Sequence, residues 1–488
     1  MVRRSGFKLT TSRKSGLWLS ALVLSIVGSI SLGAKPTKWD AQRIDRIIFV
    51  TIDTLRADHL GCYGYPRDTS PFLDELAEGG ILFRNAVAHM STTVPSHASM
   101  FTSLYPLQHN VLRNRTKLDD SLPTMAEALG TQGYRTAAFV SFWSFGPSAS
   151  NLSQGFETFD DDETTKSESK TQRYRTADRT IDAAIEWVDQ RRPPDRFFLW
   201  VHLFDPHTPY LRRGAVLRKL KDRGETDSLA EFLVGDHHVD LGIYGGDRKR
   251  MLETMDLYDS EILFADTQLR RLYERLHEKE LDSHTLWIVT ADHGEGLGNH
   301  RWRGHGKHIY NEQIRIPLLF NFSSGARARS SVEETVEHVD LVPTVLELLG
   351  GEAFRDGEGV SLVPLLSGAR NTHHITKYAF TQRRPFDADQ RPARIVPQAT
   401  QYEDGEKYSL QTDEYKYIYR TKGSDEFYDL KKDPYEVNNL IGSNTKAERT
   451  LRAEILARLR RLQQASGEVI EFVDEKALEQ LRSLGYIE

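Results

Sequence analysis

The chain has 488 residues, 39% of them hydrophobic and 27% charged, with 34 glycines and 18 prolines. That is the balance of a large globular protein, which excludes collagen-like, fibrous and wholly disordered chains. A net charge of −6 offers no global basic field for nucleic acid, and a single cysteine, Cys62, excludes an internal disulfide or a multi-cysteine zinc or iron–sulfur site.

Ser15 to Ala34 is the one long uncharged stretch, and Arg3, Arg4, Lys8, Arg13 and Lys14 precede it. A basic leader, an apolar run and small residues at its end read as a secretory signal. The run is also long enough to span a bilayer, so an uncleaved anchor with its basic end in the cytoplasm is the alternative. Residues 1–34 are thus expected to be a signal peptide or N-terminal membrane anchor, with the rest periplasmic or extracellular. The apolar run Ile47–Ile52 suits a buried parallel strand, and Ser70-Pro71 starts a helix that stops at Gly79-Gly80. Further strands are predicted at Arg135–Ser141, Phe197–Phe204, Thr285–Ala291 and Ile316–Phe320, with helices at about 171–191 and 252–280. The alternation predicts an α/β fold, a mainly parallel sheet sandwiched by helices. Beyond about Thr372, Tyr-rich pieces such as Tyr415–Arg420 predict a small antiparallel sheet, followed by charged helices from Lys446 onward. The expected organisation is a catalytic domain over 45–371 and a small C-terminal α+β subdomain over 372–488. The acidic run Asp160–Glu163 and the basic segment Arg212–Arg223 read as solvated loops or lid decoration.

Three polar clusters fall just past predicted strand ends, where α/β enzymes keep their chemistry. They are Asp53, the pair Asp292-His293 before Gly294-Glu295, and His202-Leu203-Phe204-Asp205-Pro206-His207. One such aspartate could simply cap a helix; three in register point to a site. Asp53, Asp292 and His293 form an oxygen-and-imidazole metal set. Between them, Thr92 to Met100 reads as a helix start with Thr93 at its amino end. Backbone N–H groups and the helix dipole there would stabilise an anionic group, and a plain N-cap role for Thr93 is the alternative. Gly304-His305-Gly306-Lys307-His308 is dense in His and Lys near glycine, which suits oxyanion contact and leaving-group protonation; an exposed polar loop is its alternative.

Together these motifs resemble the sulfatase family of the alkaline-phosphatase superfamily. Asp53-Thr54-Leu55-Arg56-Ala57-Asp58 is similar to that family's opening metal strand, and Thr93-Val94-Pro95-Ser96-His97 to its Cys/Ser-x-Pro-Ser-Arg nucleophile motif. Asp205-Pro206-His207 is similar to its Pro-His segment, Asp292-His293-Gly294-Glu295 to its second metal motif, and Leu481-Arg482-Ser483-Leu484-Gly485-Tyr486 to its C-terminal mark. The resemblance covers residues 45–488 and implies an alkaline-phosphatase-like fold. The departures carry the chemistry. Known sulfatases oxidise the motif Cys or Ser to formylglycine, and Thr93 cannot yield that aldehyde. His97 stands for the motif arginine, Thr54 for a second aspartate and His293 for an asparagine. Fewer carboxylates and an imidazole favour zinc or manganese, with calcium the alternative. A threonine at this position is similar instead to phosphoethanolamine transferases, lipoteichoic acid synthases and nucleotide phosphodiesterases of the superfamily. The second metal site of the last group uses Asp-x-x-x-His, which this sequence does not reproduce, so one divalent metal is expected, on Asp53, Thr93, Asp292 and His293. The resemblance implies a Thr93 nucleophile served by His207, His305 and Lys307. The expected substrate is a small-molecule, glycan or lipid-linked phosphate or sulfate ester, and no nucleic-acid partner is expected. Hydrolysis or transfer of phosphate esters is the leading reading. Sulfate-ester hydrolysis without formylglycine and a silent anion-binding protein are the alternatives.

Overall fold

A computed structural model describes residues 43–161, 174–221, 226–323, 325, 330–368, 378–383 and 405–465. The apolar run near the start forms β1 (Arg46–Ile52), buried along its whole length. It is followed by β2 (Ile81–Val87), β3 (Arg135–Val140), β4 (Thr158–Asp160), β5 (Phe197–Leu203) and β6 (Thr285–Ala291). A short ribbon, β7 (Gly296–Leu297) with β8 (Arg303–Gly304), precedes β9 (Arg315–Phe322) and β10 (Ser331–Glu337). Among the described residues eight of these strands make one sheet, in the order β10-β2-β9-β6-β1-β5-β3-β4. Its pairings are parallel except those of β9, which runs against both β2 and β6. Continuous apolar strands buried on both faces are what a parallel sheet covered by helices requires.

Register positions the chemistry. Ile52 on β1 pairs with Leu203 on β5 and with Ala291 on β6. The residues that follow, Asp53, Phe204 and Asp292, therefore leave the sheet side by side at its carboxyl edge, where ligands bind in such folds. Three strands of the large sheet, β2, β4 and β10, lay outside the sequence expectation. β2 and β10 are paired with each other across an irregularity at Val332/Thr335, and β2 slips again against β9 between Phe83 and Ala86. The break falls on Arg84 and Asn85, which interrupt the apolar run that signals a strand.

The two long helices are present with shifted starts. One spans Ala177–Asp189, and residues 171–173 of its expected start lie outside the described residues. The other spans Arg248–Glu278 and begins earlier than predicted, because the Asp247 side chain accepts from Lys249 N and Arg250 N and caps it. In the segment 212–223, the described residues 212–221 are not a solvated loop. Residues Gly214–Lys221 are helical, and Arg213 turns inward onto Asp205 and Glu261, at 17% side-chain exposure. Asp160 likewise ends β4 and pairs with Arg175 at 2.8 Å. Residues 1–34 and the Leu481–Tyr486 mark lie outside the described residues, among which no helix is long and apolar enough to cross a membrane.

A second, antiparallel sheet follows: β11 (Ala379–Arg383), β12 (Lys407–Gln411), β13 (Tyr415–Arg420) and β14 (Glu426–Asp429). The helix Lys446–Ala465 packs Leu451, Ile455, Leu459 and Leu462 against Phe380, Tyr408, Leu410, Tyr417 and Phe427. Buried polar ties join this unit to the large sheet. Glu337 accepts from Tyr105 OH at 2.6 Å and from Phe380 N at 2.8 Å. Lys416 bonds Glu436 at 2.6 Å and the Ile309 carbonyl at 2.6 Å, which fixes the loop carrying residues 304–310.

Candidate active site

Asp53 and Asp292 are held by the turns that follow β1 and β6. Thr54 takes a left-handed backbone, φ 55°, and its N–H donates to Asp292 Oδ1 at 3.2 Å. His293 N–H donates to the same oxygen at 2.8 Å. Tyr258 OH bonds the Thr54 carbonyl at 2.7 Å and accepts from Arg56 N at 3.0 Å, so the turn is pinned from behind by the long helix. With Oδ1 engaged, Asp292 Oδ2 is left facing the site, without a hydrogen-bond partner among the described residues. His293 Nδ1 donates to the Gly294 carbonyl at 2.9 Å, which leaves its lone pair on Nε2. That nitrogen lies 3.4 Å from Thr93 Oγ1, 3.5 Å from Asp292 Oδ2 and 3.8 Å from Asp53 Oδ1. All four side chains are fully buried. Donors at zinc distances of about 2.0–2.2 Å and a tetrahedral angle stand about 3.3–3.6 Å apart, so this spacing fits one small divalent cation. Burial, then His305, pushes His293 down to about 3, so the ring is the neutral, metal-binding form. Burial raises Asp292 above the ordinary carboxylate range, the cost that a bound cation would offset.

Thr93 opens the helix Thr93–Thr102, with Thr92 extended before it. Val94 N–H donates to Asn114 Oδ1 at 2.9 Å, so Asn114 caps the first turn. His97, one turn on, donates from Nδ1 to the Thr93 carbonyl at 2.8 Å. Trp200 Nε1 donates to Thr51 Oγ1 at 2.9 Å, and the Thr51 hydroxyl then donates to His97 Nε2 at 3.0 Å. This relay assigns every proton and ties the helix Thr93–Thr102 to β1 and β5. At the place of the motif arginine, His97 is thus a positioning group; burial pushes it down to about 4, in the neutral state the relay needs.

The other expected residues gather next to His293. The His305 ring is 4.6 Å from the His293 ring and 4.9 Å from that of His207. His305 Nδ1 bonds Glu295 Oε2 at 3.2 Å, and His207 Nδ1 donates to the Thr208 carbonyl at 2.5 Å. Burial and the adjacent His305 hold His207 well below its ordinary range, so at neutral pH it offers Nε2 as an acceptor. Lys307 lies with its ammonium 4.1 Å from the Trp302 ring centre, a cation–π contact on the same loop. Sequence reading placed His202 in the third polar cluster without giving it a role, and missed Asn114, Thr51 and Trp200 as parts of this centre. His202 carried a signal, a lone imidazole in the apolar strand Phe197–Leu203, whereas Asn114 sits in a loop with no pattern. His202 is buried, with Nε2 3.9 Å from Asp53 Oδ2, and burial with the neighbouring His97 keeps it well below its ordinary range.

The sequence matches the sulfatase family over residues 45–351, and the C-terminal family of N-sulphoglucosamine sulphohydrolase over 298–465. The chain belongs to the sulfatase family. It is 26% identical over 475 residues to the multifunctional alkaline phosphatase superfamily protein PehA of Trinickia caryophylli, covering 81% of this chain and 91% of that one. It is 25% identical to an ulvan-active sulfatase of Formosa agariphila, covering 89% and 84%. Among solved structures it resembles a protein crystallised with its substrate D-glucosamine-2-N,6-O-disulfate, with a TM-score of 0.65 at 21% identity, covering 87% and 98%. It also resembles the phosphonate monoester hydrolase of Agrobacterium radiobacter, with a TM-score of 0.63 at 20% identity, covering 86% and 95%. The alkaline-phosphatase-like α/β fold with a small antiparallel C-terminal sheet is as expected from the sequence, and so is a sulfatase-like ester hydrolase. In this sulfatase-family chain the Thr93 hydroxyl lies beside His293, which groups with Asp53 and Asp292.

Proposed function

We propose that this protein is an exported, metal-dependent hydrolase of phosphate esters that uses Thr93 as its nucleophile. The observation that carries the reading is the Thr93 hydroxyl, 3.4 Å from the lone-pair nitrogen of His293 and grouped with Asp53 and Asp292. Asp53, Asp292, His293 and Thr93 would hold one divalent cation, zinc or manganese by donor type. That cation would lower the proton affinity of the Thr93 hydroxyl and draw charge from a phosphoryl oxygen. Thr93 Oγ1, its proton released to water, attacks phosphorus in line as the bond to the ester oxygen breaks, giving phospho-Thr93 and the alcohol. The leaving oxygen takes its proton from His305 or Lys307. His207, whose ring packs against that of His305, is the remaining candidate for contact with the phosphoryl oxygens. Water, or an acceptor alcohol in a transfer reaction, attacks phospho-Thr93 and restores the hydroxyl. The first turn of the helix faces the incoming anion with its dipole, which Asn114 and His97 hold in place. Residues 1–34 would direct the chain out of the cytoplasm and either leave or stay as an anchor.

A second reading, sulfate-ester hydrolysis without formylglycine, draws on the ulvan-active sulfatase relative. The test is kcat/KM for matched aryl phosphate, phosphate diester and sulfate esters on one zinc-loaded preparation, with mass spectrometry of residue 93. A sulfate preference of tenfold or more, about 1.4 kcal/mol in barrier, overturns the phosphate assignment.

A further inference from the structure

Burial keeps the histidines around the centre, His97, His202, His207 and His293, below their ordinary range. His300 goes the other way, and its contacts show why. It stands in the turn of the β7–β8 ribbon with 16% side-chain exposure, and both of its ring nitrogens face groups that only accept. Nδ1 donates to Glu312 Oε1 at 2.9 Å, and Nε2 donates to the Glu436 carbonyl at 3.0 Å. A neutral imidazole has one N–H and can satisfy one of these acceptors; an imidazolium satisfies both. Burial works against that charge, but the Glu312 carboxylate and then Glu436 raise His300 to about 9. The Tyr310 ring lies flat on the imidazole, centres 3.6 Å apart, with His308 beyond it at 5.3 Å. Arg56 stands behind Glu312, and Lys416 behind Glu436.

This contact encloses the expected proton donors. From His300 the chain runs through β8 to His305 and Lys307, and then to Glu312 in the short helix Asn311–Ile314. The His300–Glu312 pair therefore folds the turn of the ribbon back onto that helix and closes the loop at its base. His300 and Arg301 hold left-handed backbones, φ 48° and 57°. Such conformations are costly for residues with a Cβ and last where the surroundings fix them. Here Glu312, the Glu436 carbonyl and the Tyr310 ring do the fixing. Asn299, one residue before, accepts from Arg56 Nη1 at 2.8 Å, which ties the turn to the segment after β1 as well. Glu312 is 1% exposed; burial opposes its charge, and His300 and then Arg56 hold it below the ordinary carboxylate range.

We propose that His300, as an imidazolium clamped between Glu312 and the Glu436 carbonyl, is the positioning residue that sets the loop of His305 and Lys307 against the reacting ester. The assignment rests on the reading of those two residues as leaving-group donors. His300 acts only through the loop. A base left open displaces the donors, and misplacement by about 1 Å costs about 10²-fold in rate.

The experiment compares the zinc-loaded full chain with His300→Gln, Glu312→Gln and the double variant. The readouts are nitrogen NMR of the histidine rings at neutral pH, hydrogen exchange of residues 298–312, and kcat on phenyl phosphate and p-nitrophenyl phosphate. The wild type should show an imidazolium signal that His300→Gln lacks. Either single variant should exchange about tenfold faster over 301–310 and lose about tenfold more rate on the phenyl ester, whose leaving group needs the proton. The double variant should be no worse than either single one, because the two side chains act as one contact. Where His300→Gln does not fold, by circular dichroism, Glu312→Gln carries the exchange and rate expectations. Unchanged exchange over 301–310 in a folded variant overturns the proposal whatever the rates do, and a neutral His300 in the wild-type spectrum overturns it too. So does faster exchange with an unchanged ratio of the two esters, when His305→Asn does shift that ratio. If His305→Asn leaves the ratio unchanged, or neither ester turns over, the donor reading falls and the exchange result alone decides the clamp.

Discussion

Thr93→Ala separates a nucleophile from a helix cap. The Thr93 side chain is fully buried, with Oγ1 3.4 Å from His293 Nε2. Removing the hydroxyl and methyl costs about 1–2 kcal/mol of packing and weak hydrogen bonding, and alanine returns about 0.5 kcal/mol of helix propensity. The net stability loss is therefore about 1 kcal/mol, a Tm change of about one degree in a chain of this size. As a nucleophile, Thr93 has no substitute within the helix: its neighbours Thr92 and Val94 differ in backbone direction and chemistry. Loss of the covalent route should lower kcat by at least about 10³-fold, or about 4 kcal/mol in barrier. The assay is kcat on an aryl phosphate at saturating zinc, beside a thermal melt and mass spectrometry of residue 93 after rapid quench. Thr93→Ser keeps the hydroxyl and should retain rate within about tenfold. A Thr93→Ala enzyme with more than about 1% of wild-type kcat, or one whose lost rate tracks its lost fold, refutes the argument.

Three further outcomes are expected. Asn114→Ala removes the acceptor for Val94 N–H and should lower kcat by about tenfold at a stability cost near 1 kcal/mol; unchanged kcat in a folded variant counts against a role in aligning the helix. His305→Asn should slow esters of poor leaving groups far more than activated aryl esters, and equal losses across a leaving-group series would point to positioning alone. Burial pushes His89 and His97 down to about 4, and His109, His237 and His293 down to about 3. The unfolded chain takes up protons at these positions below about pH 6.5 and the folded chain does not, so this contribution is complete above that pH and is lost as the pH falls. The Tm of chelator-stripped protein should thus fall steadily from pH 7 to pH 4.5, and a flat profile contradicts it.

The strands at the centre of the sheet were legible because they are buried on both faces and read as uninterrupted apolar runs, as Arg46–Ile52 and Thr285–Ala291 do. β2 was hidden by its own irregularity at Arg84 and Asn85, and β10 by the polar run Glu333-Glu334-Thr335. Residues that follow central strands, Asp53, Asp292 and His293, could be read because strand ends are where such sheets place polar groups. Asn114 and Thr51 could not. Their roles depend on which backbone N–H or imidazole lies opposite after folding, and a loop asparagine or a strand threonine looks the same with or without such a partner. Arg213 was misread for a related reason: its charge suggests solvent, and only the fold supplies Asp205 and Glu261 to bury it against.

The charge of the centre bears on the class of ester. With His97, His202 and His293 held neutral by burial, Asp53 and Asp292 face the proposed cation, and the Lys307 ammonium lies on the adjacent loop. One divalent cation would cancel two ionised carboxylates. A phosphate monoester brings about −1.5 to −2 at neutral pH, whereas a sulfate monoester brings a single charge. Unscreened by water, that difference acts at its full strength on substrate choice. The Thr93 side chain presses the same way, since it has one oxygen. A formylglycine hydrate can expel sulfate through its second hydroxyl, as the resemblance to sulfatases implies, and a sulfated threonine has no such exit. A phosphothreonine is released by in-line attack at phosphorus. The single oxygen of Thr93 is therefore what the proposed phosphate-ester reading rests on, and the comparison of matched phosphate and sulfate esters tests it directly.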